Sequence, residues 1–148
     1  MVAYKKMKWS VDMKKMRLGR TGLEVSRTAF GALPIQRISF DATKELMRMA
    51  FDHGINFFDT ARGYSDSEEK LGYALSDVRD QIIIATKSHA NDKKTLLEHV
   101  ETSLKNLKTD YIDLLQLHNP KELPDPKDPD SLYGGLLELK AQGKIRHI

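Results

Sequence analysis

Short apolar runs alternate with longer stretches of helical periodicity along most of this chain, and that alternation constrains its fold most. Ile55 to Phe58, Gln81 to Thr86 and Tyr111 to Leu117 read as strands that are apolar nearly throughout. Between them the spacing is helical. From Asp41, the residues Leu46, Met47, Met49, Ala50 and Phe51 form a stripe, with Ser39 or Asp41 able to cap its start and Gly54 stopping it. Ser67-Glu68-Glu69 opens a second helix that turns Leu71, Ala74, Leu75 and Val78 inward. A third spans about Lys93 to Leu107, with Leu96, Leu97, Val100, Leu104 and Leu107 on one side. Leu132 to Ala141 is the fourth, ended by Gly143, and Ile145 to Ile148 begins another strand. Ahead of these units, Met16 to Val25 has a hairpin pattern turning at Gly19-Arg20-Thr21-Gly22, and Arg27 to Leu33 reads as the first apolar strand.

Strands that are apolar on both sides are covered on both faces, which implies a parallel sheet with helices packed on it. The first strand is not followed by Gly-x-Gly-x-x-Gly, so a dinucleotide-binding doubly wound sheet lacks its signature turn. The expected fold class is α/β, a (β/α)8 TIM barrel. Such a barrel has eight strands and runs to about 250 residues. The 148 residues supply the hairpin, four strand–helix units and the start of the fifth strand. The expected division is an N-terminal extension at 1–15 and the N-terminal half of a barrel at 16–148. An open half leaves strand edges and an apolar face uncovered, so self-association or a missing C-terminal half is expected. The Pro-rich stretch Leu123 to Pro129 reads as a connector, with lining a pocket as the lesser alternative.

Composition narrows the function classes. A hydrophobic fraction of 40% with 30% charged residues is that of a globular protein. No run approaches the roughly 18 apolar residues of a membrane span, and the basic start Met1 to Trp9 lacks the apolar stretch of a secretory signal. The absence of cysteine excludes disulfides and thiolate-held metal within these residues and fits a cytoplasmic protein. A net charge of +3, dispersed and without a basic, aromatic-interleaved stripe, argues against nucleic acid.

Four polar residues stand at strand ends: Asp59, Tyr64 shortly beyond it, Lys87 and His118. In a barrel these ends share one rim, where chemistry is done. Singly, each has a plain reading. Asp59 could cap or turn the chain, Tyr64 could pack with its hydroxyl in water, Lys87 could be a solvated charge closing an apolar strand, and His118 could be structural. Together, a carboxylate, a phenol, an ammonium and an imidazole can make a proton-transfer site. Their flanking residues are specific: Asn56-Phe57-Phe58-Asp59-Thr60-Ala61, Gly63-Tyr64-Ser65, Ser67-Glu68-Glu69-Lys70-Leu71-Gly72, Ile84-Ala85-Thr86-Lys87, Asp110 to Leu114 and Leu117-His118.

In these segments the chain resembles the aldo-keto reductase family. The resemblance implies an NAD(P)H-dependent oxidoreductase that reduces aldehydes or ketones to alcohols. Tyr64 would be the proton donor and Lys87 the cation that favours its phenolate. Asp59 would position Lys87, and His118 would hold the substrate carbonyl. The logic is general: hydride addition leaves negative charge on oxygen, a neutral phenol parts with its proton reluctantly, and a nearby ammonium eases the transfer. The implied cofactor is NADPH, or NADH in its place, with Gly31, Ala32, Asp59 and Asn119 as its contacts in this half; no metal is evident. The partner is a small-molecule carbonyl substrate. Gly31 to Arg37 and Gly63 to Glu68 also look somewhat like a subgroup with an added iron–sulfur domain. Three rival readings stand beside this one: a Schiff-base barrel enzyme using Lys87, a reductase-like regulatory subunit, and a half-barrel with a structural role.

Overall fold

A computed structural model describes residues 13–148; the first twelve, most of the expected 1–15 extension, lie outside the described residues. β1 (Lys15–Arg17) and β2 (Glu24–Ser26) form the antiparallel hairpin, with Met16 opposite Val25. Its turn needs Gly19 and Gly22 at positive φ, +50° and +79°, a region closed to most side chains.

The rest is a five-stranded parallel sheet in sequence order, β3 (Phe30–Gly31), β4 (Phe57–Asp59), β5 (Ile83–Ser88), β6 (Ile112–Leu117) and β7 (Ile145–His147). The helices between them are α1 (Phe40–Asp52), α2 (Ser67–Leu75), α3 (Lys93–Leu107) and α4 (Leu132–Ala141), and consecutive helices pack on one another. This is the expected α/β architecture, a partial (β/α)8 barrel.

Alternation along the strands sorts the side chains. Phe58, Ile84 and Leu115 share the face toward the helices and are buried against Leu71, Leu96 and Leu136. Each such aliphatic or aromatic side chain is worth about 1.5–3 kcal/mol when fully buried. The opposite, inner face carries Asp59, Ala85, Lys87, Leu114 and Gln116 in register. Polar residues on that face gather toward the carboxyl ends of the strands.

Several boundaries differ from the sequence reading. The strand expected over Arg27 to Leu33 shrinks to two residues. Ser26 Oγ donates to the Thr28 carbonyl at 2.7 Å, bending the chain before the strand. After it, Pro34 sits at the start of a 3-10 helix, Leu33–Arg37, where its fixed φ suits the first turn. A second 3-10 helix, Ser76–Gln81, takes Gln81, the residue expected to open β5, so that strand starts at Ile83 and runs on to Ser88. Lys87 is therefore inside the strand, opposite Gln116, not beyond it. In α1 the cap is Ser39, whose Oγ accepts from Ala42 N at 3.2 Å. Of the expected stripe, Met47 is buried, with Thr43 one turn before it, whereas Leu46 and Met49 are 42% and 53% exposed. The inward phase runs 43, 47, 50, 51, the last two half-buried, which leaves Leu46 and Met49 on the outer side.

Candidate active site

The strand ends bring all four polar residues to one rim. Asp59 ends β4, Lys87 is next to last in β5, and His118 follows β6 directly. Tyr64 lies in the loop between β4 and α2. That loop is stitched to the neighbouring strand: Thr60 N donates to Ala85 O and Arg62 N to Lys87 O, each at 2.9 Å. A tight turn follows, with Tyr64 N donating to Ala61 O at 3.0 Å and Ser67 N to Tyr64 O at 2.8 Å. His118 N donates to Ser88 O at 2.8 Å, extending the β5–β6 ladder one residue past β6.

Lys87 is the centre of the group. Its ammonium donates to Asp59 Oδ1 at 2.6 Å and to the Thr60 carbonyl at 2.7 Å. It also stands 5.3 Å from the centre of the Tyr64 ring. The lysine side chain is 15% exposed and the aspartate 33%, so the pair is screened from bulk water only in part. The rings of Tyr64 and His118 meet edge to face, 5.6 Å apart at 84°. Among the described residues the Tyr64 hydroxyl hydrogen-bonds no protein group, which leaves it available to a ligand.

Beneath this rim lies a buried carboxylate that the sequence showed only as a helix opener. Glu68 is fully buried and accepts from Arg62 Nη1 at 2.5 Å, from Thr86 Oγ1 at 2.7 Å and from Ser103 Oγ at 2.7 Å. It ties the Tyr64 loop, the residue before Lys87 and α3 together. A buried charge is tolerated because both carboxylate oxygens have donors. The only sequence signal for it was an acidic residue at the start of an apolar helix, which alone reads as a favourable helix-end charge.

Of the residues expected to hold a dinucleotide, Gly31 and Asn119 are exposed, and Asn119 has a left-handed φ of +51°. Ala32 is buried, with its N–H given to Asp59 O at 2.8 Å and its carbonyl accepting from Ser67 Oγ at 2.9 Å. Its backbone groups are thus spent on the fold. A carboxamide, a carboxylate and an open glycine at the rim suit the amide and hydroxyl groups of a nicotinamide riboside.

Beside His118 an open cleft of about 380 Å³ is lined by His89, Asn91, Leu117, Asn119, Lys121 and Leu132, among others. The segment immediately after Asn119 therefore lines a cavity. The His89 ring packs against His99 at a tilt of 50°, ring centres 4.7 Å apart, and His99 Nδ1 hydrogen-bonds Ser88 Oγ at 2.8 Å. Burial first, then the charges of His89 and Arg62, hold the His99 imidazole below the usual histidine range. Neither histidine stood out in the sequence, because a single His just past a strand or inside a helix carries no pattern. Among the described residues no cluster of three or more His, Cys, Asp or Glu could hold a metal, and no helix is long and apolar enough to cross a membrane.

Comparison with known proteins agrees with this fold. Residues 27–148 match the model of the Aldo/keto reductase family. The aldo-keto reductase YhdN of Bacillus subtilis is 38% identical over 157 aligned positions, covering 92% of this chain and 46% of that protein. A probable voltage-gated potassium channel subunit beta of Arabidopsis thaliana is 36% identical, covering 73% of this chain and 38% of that one. The crystal structure of an aldo-keto reductase from Klebsiella pneumoniae in complex with NADPH superposes with a TM-score of 0.78 at 28% identity, covering 90% of this chain and 48% of that one. The chain spans about half the length of the curated relatives it matches. With its family model matched from the first strand of the sheet to Ile148, this chain belongs to the aldo/keto reductase family.

Proposed function

We propose that the whole protein is an NADPH-dependent oxidoreductase that reduces an aldehyde or ketone to an alcohol, with Tyr64 as proton donor. The observation that carries this reading is the convergence of four side chains from separate strand ends: Lys87 held by Asp59 at 2.6 Å, beneath a Tyr64 ring that abuts His118. Residues 16–148 are read as the N-terminal half of the barrel and 1–15 as an extension.

When bound, a reduced nicotinamide dinucleotide would supply the hydride for the carbonyl carbon. As the carbonyl π bond opens, its electron pair moves to oxygen, and that oxygen takes the proton from Tyr64 Oη. Lys87 keeps a positive charge beside the phenolate left behind, and Asp59 fixes the lysine in that place. His118, packed against the Tyr64 ring, directs an imidazole N–H to the substrate oxygen and orients it. Gly31, Asp59 and Asn119 are the residues of this half that would hold the dinucleotide. In alcohol oxidation Tyr64 takes up the proton instead.

Two rival readings are weakened or sharpened by the same geometry. A Schiff-base lysine must be neutral to attack a carbonyl, whereas Lys87 donates at once to a carboxylate and a backbone carbonyl. A regulatory role finds support in the likeness to the Arabidopsis channel subunit. In that case the full-length protein would bind NADPH without consuming it in the presence of carbonyl compounds.

The test follows NADPH oxidation by the full-length protein with an aldehyde. Tyr64→Phe is expected to lower kcat about 10²–10⁴-fold, the usual cost of losing a positioned proton donor, with NADPH affinity nearly intact. Unchanged turnover would remove Tyr64 from the mechanism.

A further inference from the structure

Ser65, the residue after Tyr64, holds a backbone conformation that is unfavourable for a side chain. Its φ is +36°, in the left-handed region that glycine enters freely and serine seldom does. Glycine would make the same turn with less strain, so the serine is distinguished here by what its side chain touches. Ser65 Oγ donates to Gln36 Oε1 at 2.8 Å, while Asp66 Oδ1 stands farther off at 3.4 Å. Gln36 lies 29 positions earlier, in the 3-10 helix that follows β3, and its own Nε2 donates to Leu33 O at 2.8 Å. One carboxamide therefore bridges the turn after the first strand of the sheet and the loop that carries Tyr64.

The bridge sits where that loop has few other ties. Upstream, Arg62 N is given to Lys87 O at 2.9 Å. Downstream, Ser67 Oγ donates to Ala32 O at 2.9 Å, and the buried Lys70 ammonium donates to Ile35 O at 3.0 Å and to Asp66 Oδ2 at 2.9 Å. Between these anchors residues 63–66 carry the Tyr64 ring. Among the described residues, the bond from Ser65 to Gln36 is their one hydrogen bond to another loop of the rim. The Tyr64 hydroxyl has no protein partner, so its place follows from the backbone beneath it and the packing of its ring on His118. A displaced backbone displaces the hydroxyl with it, and proton transfer is sensitive to such shifts.

We propose that Ser65 and Gln36 form a latch that positions Tyr64. The proposal rests on the reading of Tyr64 as proton donor. Neither latch residue touches the reacting atoms; both act through the loop. Because Gln36 belongs to the turn that begins just past Gly31 and Ala32, the latch also fixes the proton donor relative to the residues read as dinucleotide contacts.

The full-length protein is assayed for NADPH oxidation with a panel of aldehydes and ketones as wild type, Ser65→Gly, Ser65→Asn, Gln36→Ala and the double variant Ser65→Gly with Gln36→Ala. Ser65→Gly should lower kcat about tenfold with KM for the carbonyl compound nearly unchanged, since a misplaced donor slows the chemistry without weakening binding. Its Tm should stay near the wild-type value, because relief of the left-handed backbone offsets the lost hydrogen bond. A merely structural role predicts the reverse, a lower Tm with kcat intact. Gln36→Ala should lower kcat equally and the double variant no further, since both changes remove one bond. Ser65→Asn tolerates a left-handed φ and can donate through Nδ2, so it should recover most of kcat. NMR of the Tyr64 ring in tyrosine-labelled protein, assigned with Tyr64→Phe, gives a readout independent of turnover, and Gln36→Ala should shift that resonance. If the wild type reduces no carbonyl compound yet the shift is seen, the reductase reading falls and the latch stands. Unchanged kcat in a folded Ser65→Gly, losses that multiply in the double variant, or a Tyr64 resonance that Gln36→Ala leaves in place would each overturn the latch.

Discussion

Lys87 illustrates how much of the rim depends on single side chains. Its ammonium meets Asp59 Oδ1 and the Thr60 carbonyl and lies under the Tyr64 ring, so its charge is both fixed and aimed. Lys87→Met removes that charge while keeping a similar length. The negative charge that develops on the substrate oxygen and on Tyr64 then loses its nearest cation. Carbonyl reduction is expected to fall steeply, which NADPH oxidation by the full-length protein with an aldehyde measures. Unchanged turnover would mean that Lys87 takes no part in the chemistry.

At the scale of elements, two carboxylates do different work. Asp113 in β6 is buried and accepts from Arg79 Nη2 at 2.6 Å, from Ile84 N at 3.0 Å and from Arg146 Nη1 at 3.2 Å, which links the second 3-10 helix, β5, β6 and β7. The two guanidiniums also flank the Tyr111 ring, at 4.0 and 3.7 Å from its centre. Asp113→Ala leaves the nearly buried Arg79 without its counter-charge and a backbone donor without an acceptor. The expected cost is about 3–5 kcal/mol of stability in the full-length protein, read by denaturant unfolding. Asp92 is an exposed cap: it accepts from Thr95 N at 2.8 Å at the start of α3, and that backbone hydrogen bond, with the Thr95 hydroxyl, holds its carboxyl below the usual aspartate range. With the folded value depressed, its contribution is present above the ordinary carboxylate range and lost as pH falls through the folded value. Asp92→Ala should therefore lower Tm at neutral pH, with a deficit that shrinks on strong acidification. A deficit independent of pH would rule out the charged cap as its source.

Across the whole molecule, the described sheet ends at β3 and β7, and its inner face is less covered than the face under the helices. The fifth strand pairs with β6, so the free edges belong to the first and fifth strands of the sheet. Unpaired parallel edges beside partly exposed apolar surface favour association. A polypeptide of these 148 residues alone is expected to self-associate or to pack loosely, and to bind NADPH weakly. Light scattering and fluorescence titration with NADPH would check both claims. A stable monomer with micromolar affinity for NADPH would contradict them.

The sequence by itself determined the order of strands and helices, the parallel sheet and the four polar residues of the rim. Periods of 2 and 3.6 and apolar strand runs are local signals, and Asp59, Tyr64, Lys87 and His118 stand in segments specific to one family. It also located α3 and α4 to the residue, because Leu96, Val100, Leu104 and Leu107 keep one phase and Gly143 marks an end. Only the tertiary structure decided the rest. Leu46 and Met49 are as apolar as Met47, yet their exposure was settled by which side of α1 met α2. The first strand lost most of its length because Ser26 and Pro34 directed the chain elsewhere. Glu68 and the His89–His99 pair acquired their surroundings from residues 6 to 35 positions away. A hydrogen bond or ring contact between distant residues leaves no period in either segment, so such sites become visible only once the strands are laid side by side.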